Sequence, residues 1–159
     1  MRAYADTSFL VKLLAEEPGA VEAVAEYRRL RRPALFYLPL HALEVENAIR
    51  HRAFHERLNS SVRERSRIIG ERDAALARLA QHLRTGTLRQ AGLDMDTATE
   101  RARKLSAAHT DRLGARAIDL LHVACALLLE AELFITFDQR QTGLAKAEGL
   151  PVTLLQVAN

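Results

Sequence analysis

Four carboxylates occupy positions from which they could act together. Asp6 directly follows the short apolar run Arg2-Ala-Tyr-Ala, and Asp138 follows Leu133-Phe-Ile-Thr-Phe. Glu44 lies inside a helical stretch, and Asp119 opens the very apolar segment Asp119-Leu-Leu-His-Val-Ala-Cys-Ala-Leu-Leu-Leu. Gathered at one site, such groups repel one another and hold their protons more tightly unless a cation compensates them. Oxygen-only donors favour hard, octahedral Mg²⁺ or Mn²⁺. Zinc would want cysteine and histidine at ligand spacing, which one Cys and six scattered His do not offer. Ions held this way commonly act on phosphate esters, activating water and stabilising the leaving oxygen.

The elements that must gather these acids are legible from propensity and punctuation. Ala, Leu, Arg and Glu dominate, tryptophan is absent and aromatics make up 5% of the chain, so most of it should be helical. Helices are expected over Thr7–Glu16, Ala20–Arg31, Leu40–Arg57, Val62–Leu83, Asp96–His109, Ile118–Glu130 and Gln139–Glu148. Short strands are expected at Arg2–Ala5, Leu35–Leu38, Thr87–Leu93, Leu133–Phe137 and Val152–Leu155. Pro18 and Gly19 separate the first two helices, and Pro33 and Pro39 bracket the second strand. Strands alternating with helices predict right-handed crossovers and an α/β domain with a parallel sheet covered on both faces. An open parallel sheet places its ligand beyond the carboxyl ends of its strands, where Asp6 and Asp138 stand.

Each acid also has a plainer reading. Asp6, Asp119 and Asp138 could each cap a helix, with Thr7 and Ser8 competing for the first cap. Three caps at one edge of one sheet are a less economical account than one anionic site. Glu44 competes with Glu46, which points about 200° away on the same helix. Glu46 precedes Arg50 by four residues, the favourable order for a solvent-facing pair, whereas Glu44 shares its stripe with Asn47, Ala48 and His51. Arg116, three residues before Asp119, could steer a phosphate, hold a site carboxylate or be a surface charge. His122, one turn after Asp119, reads as a packed structural histidine, and Cys125 as a small core residue.

At 159 residues, 48% hydrophobic and 27% charged, the chain is the size of one domain. A single domain over residues 1–159 is expected. The longest uninterrupted apolar run, Val123–Leu129, is far short of the ~20 residues of a membrane span. One cysteine and a start unlike a signal peptide predict a cytoplasmic protein with no membrane association. Net charge is only +3, but Arg50 to Arg84 holds nine arginines against four acids, a local +5. That stripe reads either as a polyanion-binding surface or as a solvated helix face.

In order and spacing the chain resembles the PIN-domain ribonucleases, and within them the VapC-type toxins of type II toxin-antitoxin systems. The matching stretches are Tyr4-Ala-Asp-Thr-Ser-Phe-Leu-Val, Ala42-Leu-Glu-Val-Glu-Asn-Ala-Ile, and Arg116-Ala-Ile-Asp-Leu-Leu-His-Val-Ala-Cys-Ala running on to Phe134-Ile-Thr-Phe-Asp-Gln-Arg-Gln. The ending Leu144-Ala-Lys-Ala-Glu-Gly-Leu-Pro-Val is also similar. The resemblance implies a Rossmann-like three-layer sandwich around a parallel sheet of about five strands. It further implies a metal-dependent endoribonuclease, with Asp6, Glu44, Asp119 and Asp138 as catalytic and metal-holding residues. In the family pattern the glutamate lies three residues before the asparagine of Asn-Ala, which selects Glu44. Thr7, Ser8 and Thr136 would orient the first and last carboxylates, with Arg116 in support. The family also implies Mg²⁺ or Mn²⁺, products ending in 5′-phosphate and 3′-hydroxyl, an RNA substrate, a cognate VapB-type antitoxin and a homodimer. Residues 59–111 match weakly and would form a helical arm beside the groove.

Other classes fit less well. A catalytically silent RNA- or protein-binding module of the same fold would have no need of all four acids. An aspartyl phosphotransferase would want Asp-x-Asp after the first strand, where Asp6 is followed by Thr7 and Ser8. A dinucleotide site would want Gly-x-Gly-x-x-Gly after a strand, which is absent.

Overall fold

A computed structural model describes residues 1–158; Asn159, the last residue of the expected domain, lies outside them. Five strands, β1 (Ala3–Ala5), β2 (Leu35–Tyr37), β3 (Leu88–Gln90), β4 (Leu133–Thr136) and β5 (Val152–Leu154), form one wholly parallel sheet in the order β3-β2-β1-β4-β5. Among the described residues the helices are α1 (Thr7–Leu14), α2 (Ala20–Arg29), α3 (Pro39–Leu58), α4 (Val62–Arg84), α5 (Met95–Leu113), α6 (Ala117–Leu128) and α7 (Gln139–Ala147). This is the α/β sandwich expected, with each strand and helix where propensity and punctuation place it. The largest difference is the end of α5, expected at His109 and found at Leu113. There Gly114 adopts a left-handed φ of 61° and returns its amide to Thr110, closing the helix.

The strand order explains how the layers are divided. The chain moves outward from β1 through β2 to β3, then crosses back over β1 to lay down β4 and β5. Right-handed crossovers running in opposite directions along a sheet must use opposite faces. Accordingly α1 to α4 cover one face and α5 to α7 the other. The period of two shows on single strands: Ala3, Ala5 and Ile135 point into the first core with Phe9, Leu10 and Ile49, while Tyr4 and Phe134 point into the second with Val123 and Leu144. Tyr4 and Phe134 stack with ring centres 5.5 Å apart across the β1–β4 pair. The direction reverses between β1 and β4, so the crevice beyond their carboxyl ends is the topological switch point where such sheets bind ligands.

The weakly matching region is an integral part of this fold. It supplies the edge strand β3 and two long helices, and α4 buries Ile68, Ala75 and Leu79 in the first core. A capping box opens α4, Ser61 accepting the Glu64 amide while the Glu64 carboxylate accepts the Ser61 amide. The arginine stripe is largely neutralised in place. Arg50 pairs with Glu46, Arg52 with Glu56 and Glu17, Arg67 with Glu71, Arg72 with Asp73 and Arg78 with Glu16. Five of its nine arginines being paired, it has the character of a solvated helix face. Among the described residues no helix is long and apolar enough to cross a membrane.

Candidate active site

Asp6 begins the site because β1 ends there. Its amide donates to the Ile135 carbonyl of β4, the last bond of that pairing, and the chain then turns directly into α1. The carboxylate caps α1 by accepting the Phe9 amide at 3.1 Å. It also accepts the hydroxyls of Ser8, at 2.7 and 2.9 Å, and Thr136, at 2.9 Å. Those two hydroxyls have a second role: Ser8 Oγ accepts the Phe137 amide and Thr136 Oγ1 the Asp138 amide, tying the β4–α7 turn to Asp6. Asp6 is buried, and burial raises its pKa despite the three donors that favour the charged form.

Glu44 arrives on α3, which a buried histidine locks against the end of β1. His41 Nδ1 accepts the Leu38 amide at 3.0 Å, so the ring proton sits on Nε2, which donates to the Ala5 carbonyl at 3.0 Å. Burial pushes the His41 pKa down to about 3, and the ring stays a neutral clamp. One turn later Glu44 faces the groove, while Glu46 faces outward and bonds Arg50 at 2.7 Å. His122 Nε2 donates to Glu44 Oε2 at 2.6 Å, and Thr7 Oγ1 donates to the same oxygen at 2.9 Å. Tyr4, buried in the second core, donates its hydroxyl to His122 Nδ1 at 2.9 Å. Burial alone would raise the Glu44 pKa, but the hydrogen bonds from His122 and Thr7 hold it below the ordinary value.

Asp119 is brought in by α6, whose nearly all-round apolar surface buries it against the sheet. The helix starts at Ala117, one residue earlier than expected, so Asp119 is not the N-cap but the third residue, reaching back to accept the Arg116 amide at 2.9 Å. The Arg116 side chain donates to both Asp119 oxygens at 3.0 and 3.1 Å and to Asp138 Oδ2 at 3.2 Å. Of its three readings, holding site carboxylates is the one the geometry shows. Burial opposes ionisation of Asp119, yet Arg116 and Gln141 hold its pKa below the ordinary value. Asp138 caps α7 through the Arg140 and Gln141 amides at 2.7 and 3.1 Å.

All four carboxylates thus line one groove of about 350 Å³, with Arg116 and His122 between them. The capping and site readings, alternatives in the sequence, hold together. Asp6 and Asp138 cap α1 and α7, and Asp119 lies in the first turn of α6, so three positive helix ends point into the groove and lessen the cost of concentrating anions there. Among the described residues no three His, Cys, Asp or Glu side chains converge closely enough to ligate one ion. Arg116 instead bridges Asp119 and Asp138, and His122 hydrogen-bonds Glu44. The donor set still suits a hard divalent cation, being carboxylate oxygens only, and the buried Gln141 Oε1 beside them has no hydrogen-bond donor among the described residues.

Three supporting residues differ in role from expectation. Thr7 orients Glu44, not Asp6, because as the first residue of α1 it faces α3. Thr136 acts on Asp6 and on the backbone of Asp138, not on the Asp138 carboxylate. His122, read as structural, is buried yet touches a groove carboxylate. Its one-turn spacing from Asp119 was the signal that could have found it; His41 carried no comparable signal. Cys125 is the core residue expected, its thiol pushed up to about 11 by burial.

The fold is thus a doubly wound α/β sheet with an acidic groove at its topological switch point. A family model described as PIN domain matches residues 3–147, and the chain belongs to that family. PIN domains are generally nucleases and typically bind a divalent metal. The match runs through residues 59–111 as well. No curated protein matches the chain.

Proposed function

We propose that this protein is a metal-dependent endoribonuclease that hydrolyses RNA phosphodiester bonds as the toxin of a type II toxin-antitoxin module. The observation that carries the reading is the convergence of Asp6, Glu44, Asp119 and Asp138 on one groove of a PIN domain. These carboxylates would hold one or two Mg²⁺ or Mn²⁺ ions. Such an ion, when bound, supplies activated water and charge stabilisation at the leaving oxygen.

The chain's own residues prepare for that chemistry. Ser8 and Thr136 fix Asp6, and Thr7 with His122 fix Glu44, so these two acids are oriented before any ligand arrives. Arg116 pairs with Asp119 and Asp138, and its half-exposed guanidinium is free to turn to a substrate phosphate once those carboxylates hold a cation. A VapB-type antitoxin covering the groove, and a homodimeric assembly, complete the proposal.

The test is incubation of purified chain with total cellular RNA in Mg²⁺, in Mn²⁺ and in EDTA, beside Asp119→Asn. Internal cleavage that needs the metal and is lost in the variant is the expected result. RNA left intact under every metal, together with no growth arrest when the chain is expressed in cells, would overturn the reading in favour of a silent binding module.

A further inference from the structure

Beyond the acidic groove, α3 carries two exposed histidines at i and i+4, His51 and His55 in the sequence His51-Arg-Ala-Phe-His55. Four residues is just over one helical turn, so both rings stand on one face. Their Nε2 atoms approach to 3.0 Å, and the ring centres are only 4.3 Å apart at an interplanar angle of 68°. The two Nε2 atoms therefore share one proton in an N–H···N bond, and a metal ion bound between them would replace that proton. Phe54 packs edge-on against His55 at 5.3 Å. Among the described residues each imidazole has the other as its hydrogen-bond partner.

We propose that His51 and His55 form a bidentate site for one borderline divalent transition-metal ion, Zn²⁺, Ni²⁺ or Cu²⁺, distinct from the carboxylate groove. Nitrogen–metal bonds of about 2.0–2.1 Å to two atoms 3.0 Å apart subtend about 90° at the ion, the angle of cis ligands in octahedral or square-planar coordination. Imidazole selects these ions over Mg²⁺, which prefers the all-oxygen groove. A histidine pair at this helical spacing is the geometry by which helices chelate zinc elsewhere. No third His, Cys, Asp or Glu completes the set among the described residues, so the ion keeps open positions for water or a phosphate oxygen. Its place is also defined. His51 lines the same cavity as Thr7, Glu44 and Asn47, two helical turns (about 10 Å of rise) along α3 from Glu44. A cation there puts positive charge at the rim of an anionic groove.

Titration of the full chain with NiCl₂ and ZnCl₂ by isothermal calorimetry, in excess Mg²⁺, tests the site. One transition ion per chain is expected, its affinity weakened at least tenfold in His51→Ala and in His55→Ala and retained in Asp6→Asn. Bound Cu²⁺ is expected to show hyperfine coupling to two nitrogens by electron paramagnetic resonance. Circular dichroism confirms that the variants, both at exposed helix positions, keep their fold. Binding undiminished in the double histidine variant, or lost only in Asp6→Asn, would overturn the proposal. Because the readout is binding and not cleavage, failure here leaves the nuclease reading untouched, and the reverse also holds.

Discussion

Replacing Asp6 by Asn should make the metal-free protein more stable while abolishing its response to metal. In the structure Asp6 is buried, and its three hydrogen-bond donors do not fully offset burial, so its pKa is raised. A carboxyl whose folded pKa lies above its unfolded value contributes most at low pH, and that contribution is lost as pH rises from about 3.9 through the raised folded value. At pH 7 the ionised group is therefore a net cost. Asn keeps an oxygen for the Phe9 amide and removes the charge, but its NH₂ cannot accept the Thr136 hydroxyl that Asp6 Oδ2 accepts. A lost hydroxyl bond costs about 1 kcal/mol, against about 2–3 kcal/mol released by removing an incompletely compensated buried anion. The net gain of about 1–2 kcal/mol raises Tm by about 2–8 °C in a chain of this size. With Mn²⁺ at 100 times its Kd the order should reverse, since the wild type gains about 2.7 kcal/mol from binding and the variant little. Thermal melts in EDTA and in Mn²⁺, from pH 4 to 8, measure all of this. A variant that melts below the wild type in EDTA at pH 7, or that gains equally from Mn²⁺, would refute the reasoning.

Three further outcomes follow from the same geometry. Glu44→Gln should slow RNA cleavage by about 10- to 100-fold or more, because its amide oxygen can keep the His122 and Thr7 bonds but the group loses the negative charge that would hold a divalent cation, whereas Glu46→Gln, which breaks a solvent-exposed pair with Arg50, should stay within about twofold; rate measurements giving the reverse order would place the wrong face of α3 in the groove. Arg116→Ala should lower the metal-free Tm by about 2–4 °C at pH 7, near 1 kcal/mol once screening of its exposed guanidinium is allowed for. Asp119, whose pKa Arg116 holds down, contributes stability above the ordinary carboxylate range that the wild type loses as pH falls, so the Tm gap between this variant and the wild type should narrow on acidification; a gap that stays constant or widens would contradict that. Gly70→Ala should raise Tm by about 2–4 °C, since Gly70 lies mid-helix in α4 with open space where a Cβ would be, and a lower Tm would show that the glycine is needed there.

Much of this protein was legible before any coordinates. Residue propensity and Pro/Gly punctuation marked the elements because such signals are local: Pro18 and Gly19 part α1 from α2, and Pro33 and Pro39 bracket β2, whereas the Gly114 stop of α5 went unread. The face of α3 was equally readable, because Glu44 and Glu46 differ by a rotation that helix geometry imposes and Arg50 claims one of them. That Asp6 and Asp138 each lie just past a strand also followed from sequence, and a parallel sheet brings such positions to one edge.

Long-range pairing was decided by the tertiary structure alone. The order β3-β2-β1-β4-β5 sets β1 beside β4, and only that adjacency lets Thr136 and Ser8 bind Asp6 and the turn of Asp138 together. His122 read as a core residue because nothing near it in the chain reveals Glu44, 78 positions away, or Tyr4, 118 away. The arginine stripe shows the same limit from the other side, since Arg78 and Arg52 find Glu16 and Glu17 in the turn between α1 and α2, a pairing that composition cannot reveal. Residue type and spacing determined which groups could do chemistry here, because backbone preference and helical rotation act over a few residues. Which groups compensate one another was settled by packing, because charge and hydrogen bonding act through space and not along the chain.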